Sequence, residues 1–383
     1  MTRTIFTIAF LAAIVGFAVP LALGLGDQKG RTLSEKFPLK EQFIELNGGA
    51  SRLAGRRFVN TVYRTPRGML LSELGESTNG LRPSLEWTIE FADWLKGKGI
   101  AFLYLQAPPK IAMKGGMLPP PLVNGGNELA DYFLGALRSR RIRTLDLRPM
   151  LSATEDDMMR HFYLTDHHWN NDAVFKAFGA VVPEIARAAG KDPAPAMPFL
   201  SPKSWRRKIW PKCFMGTKSR RTGRLFGGLD DMIVYTPRFK TNMSIEIPSR
   251  KVRRRGSFRR TVMWRADVIG DMKGNEFRAD AYSLLYTGGI YGVVRHSNKE
   301  APLKIRLLMV GDSYERPLEA FFSTVFSEVL VLDQRRFSRD ETVLGFVEDF
   351  KPDVVLQLNQ TALRSSICVA AAPSEAFAKK TGK

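Results

Sequence analysis

The sequence predicts an α/β protein with a doubly wound, mostly parallel sheet, an N-terminal membrane anchor and a basic insertion. Three observations predict it. Apolar runs of strand length alternate with amphipathic helical stretches from Pro83 onward and again after Pro302, the rhythm of βα units whose sheet is covered on both faces. Ile5 to Leu25 carries a single polar residue, Thr7, and is long enough to cross the hydrocarbon core of a bilayer. Between Pro195 and about Asn275 the rhythm stops and arginine and lysine crowd the chain.

At 383 residues and 44% hydrophobic, the chain has material for one large core or two modest ones, which excludes disordered and fibrous classes. Its net charge of +20 suits an acidic polymer, an anionic membrane surface or nucleic acid. No nucleic-acid motif is present, and an anchor would keep the soluble part away from such a ligand, so nucleic acid is excluded as a partner. Arg3 ahead of the apolar run favours a cytoplasmic amino terminus, with the rest outside; Lys29 and Arg31 on the far side weaken that asymmetry. The expected location is therefore the inner membrane, single-pass, with the soluble domain in the periplasm. Cys213 and Cys368 are compatible with export and are expected to be unpaired.

Residues 1–27 are read as a signal anchor or signal peptide and 28–82 as a stem with N-terminal strands. Leu39, Phe43 and Leu46 at helical spacing predict a stem helix that packs on the soluble domain. Thr65-Pro66-Arg67-Gly68 predicts a turn between two short strands. Residues 83–194 form the first part of the α/β domain: helix Leu85–Lys96, strand Ile100–Leu105, helix Glu128–Arg140, strand Ile142–Leu147, and a helix from about Asn171 that stops at Pro183. Residues 195–300 are the basic insertion and strands, with clusters at 203–224 and 250–260 interleaved with Trp205, Trp210, Phe214 and Phe258. An anionic polysaccharide, lipid headgroups or plain solvation all fit that stretch. Residues 301–366 return to strand Lys304–Val310, helix Pro317–Phe326, strand Val329–Asp333, helix Asp340–Phe350 and strand Asp353–Leu358; 367–383 reads as a loose tail.

The chemistry concentrates in Leu164-Thr165-Asp166-His167-His168-Trp169-Asn170, because three of the four histidines, His161, His167 and His168, fall within eight residues. An aspartate two positions before a histidine can orient the ring and stabilise its imidazolium, which makes Asp166 and His168 an acid/base pair. A nucleophile is then required. Met309-Val310-Gly311-Asp312-Ser313-Tyr314 is a strand-to-helix elbow that places Ser313 near a helix amino terminus, where its own N–H can face an oxyanion. Asn359, just past the end of the last strand, is expected first to close a turn, with donation of a side-chain N–H to the oxyanion as its second role, and Asp312 is expected to hold its loop. A metal site of Asp166, His161, His167 and His168 is the competing reading; neighbouring residues in extended chain point apart, so metal is not expected.

These motifs resemble the DHHW protein family, after Asp166-His167-His168-Trp169, and more distantly the SGNH-hydrolase-like accessory proteins of alginate O-acetylation. The resemblance extends to the stem Phe37-Pro38-Leu39-Lys40, to Ala107-Pro108-Pro109-Lys110, to Arg220-Arg221-Thr222-Gly223 and Gly228-Leu229-Asp230-Asp231, and to Gly311-Asp312-Ser313-Tyr314. It implies an SGNH-hydrolase-like domain with Asp166, His168 and Ser313 as triad, His167 and Trp169 at the substrate, and no cofactor. It implies an extracytoplasmic O-acyltransferase acting on anionic or neutral cell-surface polysaccharide, with a membrane-bound O-acyltransferase as acyl donor. A carbohydrate esterase with the same triad, and a non-catalytic polysaccharide-binding or assembly factor, are the alternatives.

Overall fold

A computed structural model describes residues 40–73, 78–263, 281–338 and 340–360. The expected anchor, the first part of the stem, Cys368 and the expected tail lie outside the described residues. Among the described residues no helix is long and apolar enough to cross a membrane.

Helix α1 (Lys40–Leu53) leads into a small antiparallel sheet of β1 (Phe58–Val59), β2 (Val62–Arg64) and β3 (Leu70–Ser72). The expected turn closes between β2 and β3, where Gly68 takes φ 91° and donates its N–H to the Thr65 carbonyl. Then come α2 (Arg82–Gly97), β4 (Ala101–Gln106), α3 (Gly126–Ser139), β5 (Thr144–Asp146), α4 (Glu155–His161) and α5 (Asn171–Ala188). Strand β6 (Trp205–Phe214), α6 (Thr217–Thr222), α7 (Arg224–Gly227) and β7 (Asp230–Pro237) follow. The chain continues through β8 (Met243–Ile247), β9 (Val252–Gly256), α8 (Ala281–Leu285), β10 (Val293–Asn298) and β11 (Leu303–Gly311). It closes with α9 (Glu315–Val325), β12 (Phe326–Leu332), α10 (Val343–Phe350) and β13 (Val354–Asn359).

One eight-stranded sheet runs β5-β4-β13-β11-β12-β10-β8-β9, while β6 and β7 pair separately. The five strands from β5 to β12 are parallel, and β10, β8 and β9 add antiparallel. The sheet is thus mixed rather than mostly parallel, and its antiparallel wing comes from the stretch expected to be an insertion. Strand β8 explains why: Met243, Ile245 and Ile247 are buried and alternate with polar residues, the period-2 pattern of a strand with one covered face.

Alternation along the central strands sorts the helices into two layers. Leu307, Met309, Val329 and Val331 meet α5 and α9 on one face; Leu308, Val310, Leu330 and Leu332 meet α2 and α10 on the other. Helix α5 runs through Pro183 to Ala188 instead of stopping there. An internal proline costs about 3 kcal/mol, but Val181, Val182 and Ile185 are all fully buried at about 1.5–3 kcal/mol each, so burial wins. Helix α9 starts two residues before Pro317, where the Glu315 N–H reaches the Asp312 carbonyl.

The stem helix packs by a face other than the expected one. Phe43 and Leu46 are exposed, and α1 docks on α6 and α7 through Gly48 and Ser51. A Cβ at Gly48 would sit well inside contact distance of the Thr222 carbonyl. Gly48→Ala should therefore lose about 1–3 kcal/mol in urea unfolding, whereas Leu46→Ala should stay within about 0.5 kcal/mol of the parent. Equal stability of the two variants would contradict the docking argument.

Candidate active site

The loop carrying the histidines is fixed before its chemistry begins. Helix α4 ends at His161, Phe162 bridges back to Trp169, and Asn170 caps α5 by accepting from the Asp172 and Ala173 amides. Within the loop, the Asp230 carboxylate accepts from the Leu164 amide at 2.7 Å and from the Thr165 amide and hydroxyl at 2.8 and 2.5 Å. The buried Lys110 ammonium donates to the Leu164 and Asp166 carbonyls at 2.9 and 2.5 Å; burial and nearby Lys218 push its pKa down to about 7. Gly216 closes the other side, donating to the Thr165 hydroxyl at 2.9 Å. A Cβ there would lie 2.5 Å from the Asp166 amide.

On this platform Asp166 Oδ1 stands 2.5 Å from His168 Nδ1, and His168 Nε2 stands 2.7 Å from Ser313 Oγ. A carboxylate on Nδ1 places the ring proton there and leaves Nε2 to accept from the serine hydroxyl. The Asp166 carboxylate also accepts from the His168 and Thr217 amides at 3.0 and 2.6 Å. Burial works to raise the pKa of Asp166, but His168, His167 and the Thr217 N–H together hold it well below the usual carboxylate range.

Ser313 lies in the turn between β11 and α9, at the carboxyl end of a central parallel strand. Asp312 has the loop-holding role expected of it, accepting from the Tyr314 and Gln360 amides at 2.9 Å each, and burial raises its pKa. The Tyr314 hydroxyl donates to the His167 carbonyl, which ties the serine turn to the histidine loop. Tyr282 stacks on the His168 ring at 3.9 Å and 15°, and its hydroxyl reaches the Ser313 carbonyl at 3.2 Å. A cavity of about 340 Å³ opens over Ser313 and His168, with Phe214, Thr217, Ile290, Arg220, Arg335 and Arg336 in its walls. Asp333 holds Arg335 at 2.7 Å, while Arg220 and Arg336 are exposed and enter no ion pair among the described residues.

The other expected site residues are placed differently. His167 lines the cavity with Nδ1 3.0 Å from the Thr217 hydroxyl; burial and His168 push its pKa down to about 3. Trp169 is fully buried against Tyr314, in the core rather than at the cavity. Asn359 is the last residue of β13, not a residue beyond it. Its Oδ1 accepts from Gln357, which itself reaches Thr88 on α2, so strand alternation turns both side chains toward that helix. His161 points into the core at the Leu151 carbonyl, so the four-residue metal set is not assembled. The ligand atoms of Asp166, His167 and His168 do lie within 4.8 Å of one another, but each ring and carboxylate is engaged in the bonds above. Cys213 is a buried free thiol.

Asp230, Lys110 and Arg220 had a signal in the sequence, inside segments that carried the resemblance, but no role could be read for them. Tyr282 and Gly216 had none.

Comparison with known proteins agrees with the resemblance. Residues 70–206 match the family model described as SGNH hydrolase-like domain, acetyltransferase AlgX; the matched span includes Asp166 and His168 and ends before Ser313. No curated protein matches the chain. Among solved structures, Bacillus cereus PatB1 superposes with TM-score 0.62 at 17% identity, over 79% of this chain and 97% of that one. PatB1 with a sulfonyl adduct gives 0.62 at 18%, over 79% and 96%. A DHHW family protein from Eubacterium siraeum DSM 15702 gives 0.56 at 15%, over 83% and 95%. At these identities what is shared is the fold.

The two depressed groups set an acid response. Between pH 6.5 and about 3 the native state keeps His167 neutral while the unfolded chain protonates it, so stability falls as pH drops through that window. The Asp166 contribution is fully present above about pH 4 and is lost below it as the carboxylate protonates. Urea unfolding of His167→Gln should depend less on pH between 7 and 4 than the parent does, and parallel curves would refute the assignment.

Proposed function

We propose that the protein is an extracytoplasmic, SGNH-like O-acyltransferase that acts on cell-surface polysaccharide through an acyl-Ser313 intermediate. The observation that carries this reading is the continuous Asp166–His168–Ser313 hydrogen-bond chain at the floor of an open cavity. His168 Nε2 takes the hydroxyl proton as Ser313 Oγ attacks the acyl carbonyl carbon, and Asp166 stabilises the imidazolium. Negative charge develops on the carbonyl oxygen, and the donor proposed for it is the Ser313 N–H, two residues ahead of α9. The imidazolium then protonates the departing alkoxide, leaving acyl-Ser313. In the second half a sugar hydroxyl gives its proton to Nε2 and attacks the acyl carbon, freeing the serine.

Acetyl is the acyl group favoured by the family model, which is named for an acetyltransferase. Arg220 and Arg336 at the cavity favour an anionic acceptor, since two cations with no acidic partner among the described residues attract a carboxylate or sulfate. Ile5–Leu25 would anchor the chain in the inner membrane with this domain in the periplasm, beside a membrane-bound acyl donor. Water in place of the sugar turns the same cycle into ester hydrolysis, so turnover of a chromogenic acetyl ester reports the triad under either outcome.

The detergent-solubilised chain should hydrolyse such an ester, and Ser313→Ala and His168→Ala should each lose about 10⁴-fold or more in kcat while remaining folded. PatB1 is known with a sulfonyl adduct; a sulfonyl fluoride should likewise modify this chain once, at Ser313, by peptide mass. A loss of less than about tenfold in folded Ser313→Ala would instead support a non-catalytic binding factor. Arg220→Ala combined with Arg336→Ala should raise KM for an anionic glycan about tenfold and leave the rate on a small neutral ester unchanged. Salt should shrink that difference, and equal KM values would remove the anionic acceptor from the proposal.

A further inference from the structure

Half of the large apolar side chains exposed among the described residues lie at one corner. Of the ten large apolar side chains exposed among the described residues, Phe43, Leu46, Leu53, Phe58 and Leu225 belong to α1, α7 and the adjoining β1. Leu46 is 70% exposed and Leu53 92%, against 38–52% for the other eight. They share one side of α1, because Gly48, Ser51 and the half-buried Ile44 take the side that docks on the domain. Leu225 extends the strip from α7, and Arg52 joins the two helices by donating to the Leu225 carbonyl at 2.9 Å.

The rim of the strip is cationic. Lys40, Arg52, Arg56, Arg57 and Arg221 are all exposed here. The acidic residues on α1 are Glu41 and Glu45, and Glu45 is spent capping α7, accepting from the Arg224 and Leu225 amides at 2.6 and 3.1 Å. Aliphatic tips surrounded by long basic side chains are what an interfacial surface needs: the tips enter the acyl boundary while the cations stay at phosphate level. Protein interfaces, in contrast, centre on Trp and Tyr, and neither lies among these residues.

The chain also delivers this corner to a bilayer. The apolar run ends at Leu25, and α1 begins at Lys40. The intervening stretch, residues 26–39, spans at most about 50 Å fully extended. We propose that the α1–α7 face lies on the surface of a bilayer rich in anionic phospholipid, as a second membrane contact beyond the expected anchor; this rests on the anchored, extracytoplasmic reading above. Arg220 lines both the catalytic cavity and a second cavity of about 540 Å³ between α1 and α7. Docking the face therefore brings the mouth over Ser313 close to the lipid surface, where a membrane-borne acyl donor arrives.

The test uses the full chain with Cys213→Ala and Cys368→Ser, reconstituted into vesicles of phosphatidylcholine with or without 30% phosphatidylglycerol as the probe surface. Single cysteines at Leu46, Leu53 or Met197 carry an environment-sensitive nitrobenzoxadiazole; Met197 is 51% exposed on a short helix away from this corner. Probes at Leu46 and Leu53 should brighten about threefold or more and be quenched by spin-labelled acyl chains, more strongly with phosphatidylglycerol, while the Met197 probe stays dark. A chain that floats with the vesicles but is dark at all three positions overturns the proposal and leaves the anchor standing. Failure to float overturns both. Brightening at Leu46 and Leu53 only in native membranes, and not in pure lipid, assigns the face to a protein partner and also overturns it. None of these readouts depends on acyl transfer, so loss of the catalytic reading leaves the result interpretable.

Discussion

Two hydrogen bonds on opposite sides of one imidazole join parts of the chain 145 residues apart. Each constrains the ring only if its partner is itself immobile, and much of the surrounding structure serves that end. Asp166 is held by amides from its own loop and from α6, and the loop is clamped by Asp230 from β7 and by Lys110 from the segment after β4. Ser313 is held by the turn that Asp312 organises at the end of β11. Tyr282 closes the remaining side of the ring by stacking, so His168 keeps its plane without a bond in that direction. Five segments distant from the histidine loop thus hold either that loop or the groups on its ring.

Asp166 and Ser313, which hydrogen-bond to the ring, were legible because their signal is local, whereas Tyr282, which stacks on it, was not. An Asp-x-His spacing and a glycine-containing elbow after a buried strand state their own geometry within a few residues. The residues that hold them were not legible, because a buried lysine under two carbonyls or a glycine against an aspartate has no meaning until distant segments meet. Trp169 and Asn359 show the opposite error. Both sit in informative stretches, yet burial and strand alternation turn their side chains away from the cavity.

Much the same division holds for the fold. The βα rhythm placed the parallel strands and their helices to within a few residues, since apolar runs covered on both faces admit few other readings. The antiparallel wing was hidden by its surroundings: β8 is only five residues long and lies inside an arginine-rich stretch, and in β9 three consecutive arginines leave no apolar alternation to read. Pro183 misled for a related reason. Propensity is a local preference, and the burial that overrode it depends on α9 and the sheet lying opposite.

Strand β9 gives part of the unusual charge a use that requires no ligand. Among the described strands it is the outer one of the antiparallel wing, paired with β8 on one side, and it reads Val252-Arg253-Arg254-Arg255-Gly256. A free edge invites another chain to add a strand. Arg253 is paired with Glu246 at 2.9 Å, but the run keeps a positive excess, so the like-charged edge of a second copy meets repulsion as it approaches. The price of a large open sheet is an unguarded border, and at β9 that border carries a run of like charge.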